Sequence, residues 1–305
     1  MDKIRQDMLV KIAELHEIPS GAYNIRADGE TYSRNSTENI EIITKKDKQG
    51  IDIIIKPGTK NESVHIPVII GQSGLEEVVY NDFYVGKDAN VVIIAGCGIH
   101  NCGGGNSRHD GVHRFFIDEG AKVKYVEKHY GEGDGRGKRI MNPQTIVELG
   151  KKSEIEMEMV QIEGVDSTDR VTRAELSEGA KLVITERLLT HENQYARTDI
   201  DVKLNGRDSS ANIISRSVAK GSSEQLFISK IEGNNKCKGH SECDAIIMDN
   251  AVVKALPEVD ANSVDAELVH EAAIGKIAGE QIIKLMTLGL TEEEAEKEIV
   301  NGFLR

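Results

Sequence analysis

Tryptophan is absent from this 305-residue chain, and aromatic residues make up only 4% of it. Sites that read nucleobases or sugars by stacking need aromatic faces, so such ligands are disfavoured. Basic residues are outnumbered, 38 Lys and Arg against 51 Asp and Glu, for a formal charge of −13. Nucleic acids and anionic membrane surfaces attract positive patches, so neither is an expected partner. Long apolar runs are missing too: none approaches the roughly 18 residues of a membrane span. No signal-peptide pattern opens the chain, and a cytoplasmic location is expected. There are only four Cys. In a reducing compartment these thiols are expected to be reduced, metal-binding or reactive, not disulfide-bonded.

What is present is mostly strand pattern. Ile4, Met8, Ile12 and Leu15 recur at helical spacing and predict a short amphipathic helix ending before Pro19. Strand-like runs follow at Ile40–Ile43, Ile51–Ile55, Val64–Ile70 and Val78–Val85. From there a loose repeat sets in. Gly86, Gly120, Gly150, Gly179 and Gly206 each open a turn that leads into an alternating strand, at spacings of 34, 30, 29 and 27 residues. Turn–strand units at a near-constant period signal a solenoid, in which each coil relies on its neighbours for a core. The pattern favours a β-helix-like stack over a βαβ fold, with an antiparallel β-sandwich as the alternative. Near the C-terminus, Val264, Ala266, Leu268 and His270 alternate on one strand face, with Glu271 on the other. Helical signals begin around Ala272. A helix is predicted through Glu280–Met286, ending near Gly289. Thr291 with Glu294 forms a capping box for a last helix whose apolar stripe is Ala295, Ile299, Val300 and Phe303.

Two segments concentrate metal-ligating side chains. Cys237-x2-His240-x2-Cys243 offers two thiols and an imidazole. It reads as a metal or cluster ligand set, or as a turn whose Cys pack as small apolar residues. The spacing is not that of a zinc ribbon. Cys97 and Cys102 lie in a glycine-rich run with His100, and His109 and His113 follow. This reads as a transient iron, sulfur or zinc site, its glycines letting the backbone wrap around an ion, or as a tight corner of the solenoid. Gly131–Lys138 is superficially a phosphate loop. It lacks the first Gly and the final Ser or Thr of that motif, and its acids would repel phosphate, so it reads as a mobile surface loop and the chain as no ATPase. His191, Glu186 and Glu192 are read as solvated flank residues without a role.

The strand Cys243-Asp244-Ala245-Ile246-Ile247, the segment His270-Glu271-Ala272 and the last helix resemble the SufB/SufD family of iron–sulfur cluster assembly scaffolds. The resemblance covers roughly residues 85–305. It implies a right-handed parallel β-helix core, mainly β, with small helical ends. The division expected is a helical segment at 1–35, the β-helix at 36–262 and a strand and helical partner-docking region at 263–305. It implies a non-enzymatic scaffold that holds a transient iron–sulfur cluster and works with a SufC-like ABC-type ATPase, a sulfur donor and apo acceptor proteins. Cys243 falls on the family's essential cysteine, and His270 or Glu271 on its second ligand segment, with Val269 replacing an acid. Cys237 and His240 lie outside the matched strand. Longer SufB members carry Cys and His inside the β-helix, suggested to pass sulfur inward. The chain resembles a compact version that pairs with itself, so a homodimer is expected. The alternative is a zinc-stabilised structural solenoid using Cys97, Cys102, Cys237 and Cys243. A carbohydrate-active β-helix enzyme is disfavoured by the missing Trp.

Overall fold

The computed structural model describes residues 2–305, and for Glu163 the backbone alone. Strands dominate it. They stack into two ten-stranded sheets that face each other, and successive strands alternate between the sheets through most of the chain. The result is a β-solenoid of about eight turns. In the first sheet the parallel register steps through Asn90, Lys122, Glu154, Lys181, Ser210, Lys238 and Glu267. The five repeat glycines lie in the turns just before strands Asn90–His100, Lys122–Glu132, Glu154–Glu163, Lys181–Thr190 and Ser209–Ala219. The sequence period is thus the coil period.

Period-two alternation sends every second side chain into the space between the sheets. Near the glycine turns the interior is apolar: Val91, Val123, Ile155, Leu182 and Ala211 stack in one column, with Ile117, Leu149, Leu176 and Leu204 in the other sheet. At about 25 cal/mol per Å² of apolar area removed from water, this ladder is the main stabilising element. The opposite half of the interior is polar, and the candidate site lies there.

The N-terminal end carries a helix and a hairpin. Helix α1 (Lys3–Ala13) is capped by Asp2 and buries Met8, Leu9 and Ile12 on the outside of the first sheet, against Ile25, Ile69 and Tyr130. Gly96 lies under it, where a Cβ would stand 2.7 Å from the Ile12 carbonyl oxygen. That glycine serves helix packing and not the wrapping of an ion. The helix accounts for only part of the predicted helical segment. Residues Ala22–Ala27 and Glu30–Asn35 form an antiparallel hairpin. Asp28-Gly29 turns it with φ of 48° and 85°, a pairing that Asp-Gly favours.

The C-terminal end is open. Strands Val252–Ala261 and Ala266–Gly275 terminate the two sheets and leave one edge of each without a strand neighbour. The helical signal expected from Ala272 does not take hold, because pairing with strand Cys237–Ile247 carries the extended chain to Gly275. Helix α2 (Gly279–Met286) buries no residue. Helix α3 (Glu292–Phe303) has the expected capping box and lays Ala295 and Val300 inward, with Val300 in a cluster with Val218. Among the described residues no helix is long and apolar enough to cross a membrane.

Candidate functional site

Cys243 belongs to an inward-facing column. Following the register across the first sheet, it runs Ala95, Glu127, Met159, Glu186, Ser215, Cys243, Ala272. The thiol is buried, and burial first, then the charges of Glu186 and Asp244, push its pKa up to about 12. His270 is on the terminal strand, opposite Ser241, on the same inward face. Cys243 and His270 are diagonal neighbours, roughly 8 Å apart at Cα from strand spacing and rise. His270 Nδ1 is buried with no hydrogen-bond partner. Burial and the nearby His240 lower the His270 pKa, which keeps its ring neutral and able to ligate.

The predicted Cys-His-Cys set does not converge. Cys237–Ile247 is one extended strand. At about 3.3 Å per residue, Cys237 and Cys243 stand roughly 20 Å apart. Cys237 faces inward near Gly233 and Leu268. His240 has opposite parity and faces outward. There its Nδ1 is 2.9 Å from Asn212 Oδ1 and its Nε2 is 3.7 Å from a Glu271 carboxylate oxygen. Glu242, which the sequence did not suggest, completes an outward group of His240, Glu242 and Glu271 whose ligating atoms lie within 4.8 Å of one another. The pair His270-Glu271 is therefore split, with one residue beside Cys243 and the other on the outer face.

The second predicted cluster separates in the same way. Cys97, His109 and His113 point inward and are buried, whereas Cys102 is exposed. The four Cys do not meet, so they cannot make one zinc site in this structure. Cys97 shares a small cavity with His109, His113, Glu127 and His129, with about 10 Å³ of room for the centre of a water, close to the room one water needs. Burial raises the Cys97 pKa well above the thiol range, and Glu77 and Glu127 add to the effect.

The sequence reading missed the charged interior. Arg170 hydrogen-bonds Glu127 from the facing sheet and lies 3.7 Å from Glu186. All three side chains are at most 5% exposed. Glu186 accepts from Thr198 Oγ1 at 2.7 Å and Ser215 Oγ at 2.9 Å, and Ser215 is the register partner of Cys243. Burial works to raise the Glu127 pKa, but its neighbours, the Arg170 charge foremost, outweigh it and hold it well below the carboxylate range. Burial lowers His113 to about 4, and its Nδ1 lies 2.7 Å from Tyr125 Oη. His109 pairs with Glu77 at 3.0 Å. A polar track thus runs inside the solenoid from Cys97 to Cys243. Isolated buried charges are costly, so a paired set of this size marks a specific requirement. Parity was the available signal: Glu186 sits between Ile184 and Leu188 on an inward face, and is not the solvated flank residue expected.

The Gly131–Lys138 loop packs as a layer on its neighbour. Gly135 and Gly137 donate backbone hydrogen bonds to the carbonyls of Asn101 and Gly103, at 3.1 and 3.0 Å. A Cβ at Gly135 would stand 2.4 Å from the Gly103 oxygen. Alternate glycines are what allow this loop to lie directly on the Asn101–Gly105 loop.

Comparison with known proteins bears on what this interior does. The family model described as SUF system FeS cluster assembly, SufBD core domain, matches residues 76–303. An iron-sulfur cluster assembly SufBD family protein of Methanothermobacter thermautotrophicus is 29% identical over 259 residues, covering 84% of this chain and 62% of the relative. One from Archaeoglobus fulgidus is 27% identical, covering 89% of this chain and 72% of the relative. One from Methanocaldococcus jannaschii is 28% identical, covering 83% and 79%. The chain spans 62% and 57% of the length of two Methanothermobacter relatives.

Proposed function

The chain belongs to the SufB/SufD family of iron–sulfur cluster assembly proteins, and from that premise we propose that it is a scaffold on which a cluster is built and from which it is passed on. The cluster is cargo, held at Cys243 with His270 beside it. The observation that carries this reading is the position of Cys243. It lies one strand in from the open end of the first sheet, where the polar track meets a neutral histidine that lacks a partner.

A buried thiol pushed up to about 12 is held protonated at pH 7. Iron must displace that proton, so loading releases protons and depends on cationic iron replacing the lost solvation. The closed form is therefore a poor acceptor, and opening of the last coil would make it a better one. Two surfaces support such a device. The open edges of the terminal strands, flanked by exposed Leu256, Val259 and Val269, suit pairing with a second copy. Helix α2 and the turn after it, with Ile283, Met286 and Leu288 exposed, suit docking of an ABC-type ATPase whose closure would pull on the open end. The region after 262 then acts as the docking unit, the track from Cys97 serves delivery of sulfur to Cys243, and the setting is cytoplasmic.

The test is transfer. Protein loaded anaerobically with iron and sulfide should convert an apo-ferredoxin to its holo form, and His270→Ala should load less iron while keeping the β-rich circular dichroism spectrum. Stable retention without transfer, or undiminished loading in His270→Ala, would contradict this reading.

A further inference from the structure

A trough of about 380 Å³ lies on the outer face of the first sheet, beside the last turn of α1. Its floor is one outward register column: His65, Ile94, Val126 and Glu158, on four neighbouring strands. At about 4.8 Å per strand this floor is roughly 14 Å long. Ile94 and Val126 form its middle and are half-buried. His65 stands at one end, and burial lowers its pKa, so its ring is neutral. Ile12 and Leu15 wall the trough from α1 and the turn after it. Gln6 pins that turn, donating from Nε2 to the His16 carbonyl at 3.0 Å. An apolar lining with a few polar groups, in a volume of about 300–1,000 Å³, is the usual make-up of a small-molecule site.

The other end of the trough is charged. Glu158 is already matched there, since its Oε1 accepts from Arg187 Nη1 at 2.5 Å. Lys128 is matched by Glu14, with Nζ 2.5 Å from Oε1. The two halves of that pair differ. The Lys128 side chain is 27% exposed and Glu14 77%, so the cation is seated and its carboxylate stands in solvent. Glu14 caps α1 at φ 56°, in the left-handed region that glycine favours and a residue with a Cβ enters at a cost. The carboxylate on Lys128 is thus one that another carboxylate can replace.

We propose that this trough binds a free medium-chain carboxylate, whose head takes the place of Glu14 on Lys128 and whose tail lies along Val126 and Ile94 toward His65. From Val126 to His65 is two strand spacings, about 10 Å, which suits a tail the size of octanoate's. Exchange of one carboxylate for another keeps Lys128 compensated, so the net gain is the apolar surface that the tail and the trough remove from water. A cationic amphiphile of the same length would meet Lys128 with like charge. The site lies outside the solenoid and shares no side chain with the polar track or with Cys243, so it stands apart from the scaffold reading. A ligand seated here touches both α1 and the first sheet, and so ties the helix to the strands beneath it.

The experiment titrates the chain with sodium octanoate, sodium butanoate and octylamine in calorimetry, and follows the Ile12 and Ile94 methyl groups by NMR. Octanoate should bind at one site with a Kd of about 1 mM or below, a modest affinity in keeping with so small a ligand. Burial of one methylene is worth about fourfold in affinity, so butanoate should bind at least tenfold more weakly even with part of the longer tail left in water. Octylamine should not compete. Saturating octanoate should raise Tm and shift both methyl resonances. Lys128→Met should weaken octanoate about tenfold, through loss of a charge-assisted contact. Glu14→Gln removes the competing carboxylate and should tighten octanoate by about two- to fivefold. These opposite signs distinguish a seated head group from disturbed packing of α1, which would weaken binding in both variants. Absence of saturable octanoate binding, equal affinity for butanoate, octylamine binding as tightly as octanoate, unmoved Ile12 and Ile94 methyls, or weakening in both variants would overturn the proposal.

Discussion

Replacing Arg170 with Met removes the guanidinium that stands between Glu127 and Glu186 inside the solenoid. The shape is roughly preserved, so the loss is mainly electrostatic. Breaking a buried ion pair by removing one partner costs about 3–5 kcal/mol, because the remaining charge is left uncompensated. At about 2.1 cal/mol/K per residue, unfolding 305 residues carries an entropy near 0.64 kcal/mol/K. The expected fall in Tm is then about 5–8 °C, measured by calorimetry at pH 7. The pH dependence is the sharper readout. In wild type the Glu127 pKa is depressed, so its contribution to stability is present above the unfolded value of about 4.3 and is lost as pH falls through the folded one. Without Arg170, burial dominates and the folded pKa rises above the unfolded value. The penalty in Arg170→Met should therefore shrink as pH is lowered from 7 toward 5, since the carboxyl can take a proton. His113, held near 4, destabilises wild type as pH falls below about 6.5, and removing Arg170, whose charge helps to lower it, relieves part of that penalty and narrows the gap in the same direction. A Tm change under 1 °C, or a gap that widens on acidification, would refute the account of the interior as a compensated charge set.

Two further outcomes concern surfaces. Leu288→Ser with Ile283→Ser should leave Tm within about 1 °C, since both side chains are exposed, yet weaken ATPase binding by tenfold or more in calorimetry. Leu256→Lys with Val269→Lys places charge at the open end and should convert a dimer of the 33.5 kDa chain to monomer in light scattering, with circular dichroism unchanged. A wild-type monomer at high concentration would remove the paired-copy arrangement.

How much of this was legible in the sequence depends on which periodicity carried it. Coil spacing was written in Gly120, Gly150 and Gly179, because each coil must turn at the same place for the strands to stack. The capping box of Thr291 and Glu294 was likewise local, and the structure has it. The hairpin at 22–35 was missed because its Asp28-Gly29 signal is short and its strands carry Arg and Asn among few apolar residues. The site was harder still. Spacing placed Cys237, His240 and Cys243 together, but on a strand such spacing separates them by distance and by face. The same parity that parts His270 from Glu271 brings Cys243, Glu186 and Glu127 into one column over 116 residues of chain, from 127 to 243. That column needs the register of the intervening coils, which no local pattern specifies. Arg170 comes from the opposite sheet and was out of reach for the same reason.

The central claim is that Cys243 holds the cluster, and iron and sulfide content after anaerobic reconstitution tests it most directly. Wild type, Cys243→Ser and Cys237→Ser are loaded in parallel, and bound iron, bound sulfide and the Mössbauer spectrum are recorded. Cys243→Ser should lose most of the bound iron and sulfide, while Cys237→Ser, roughly 20 Å away along the strand, should retain most of both. Equal content and an unchanged spectrum in Cys243→Ser would contradict the claim.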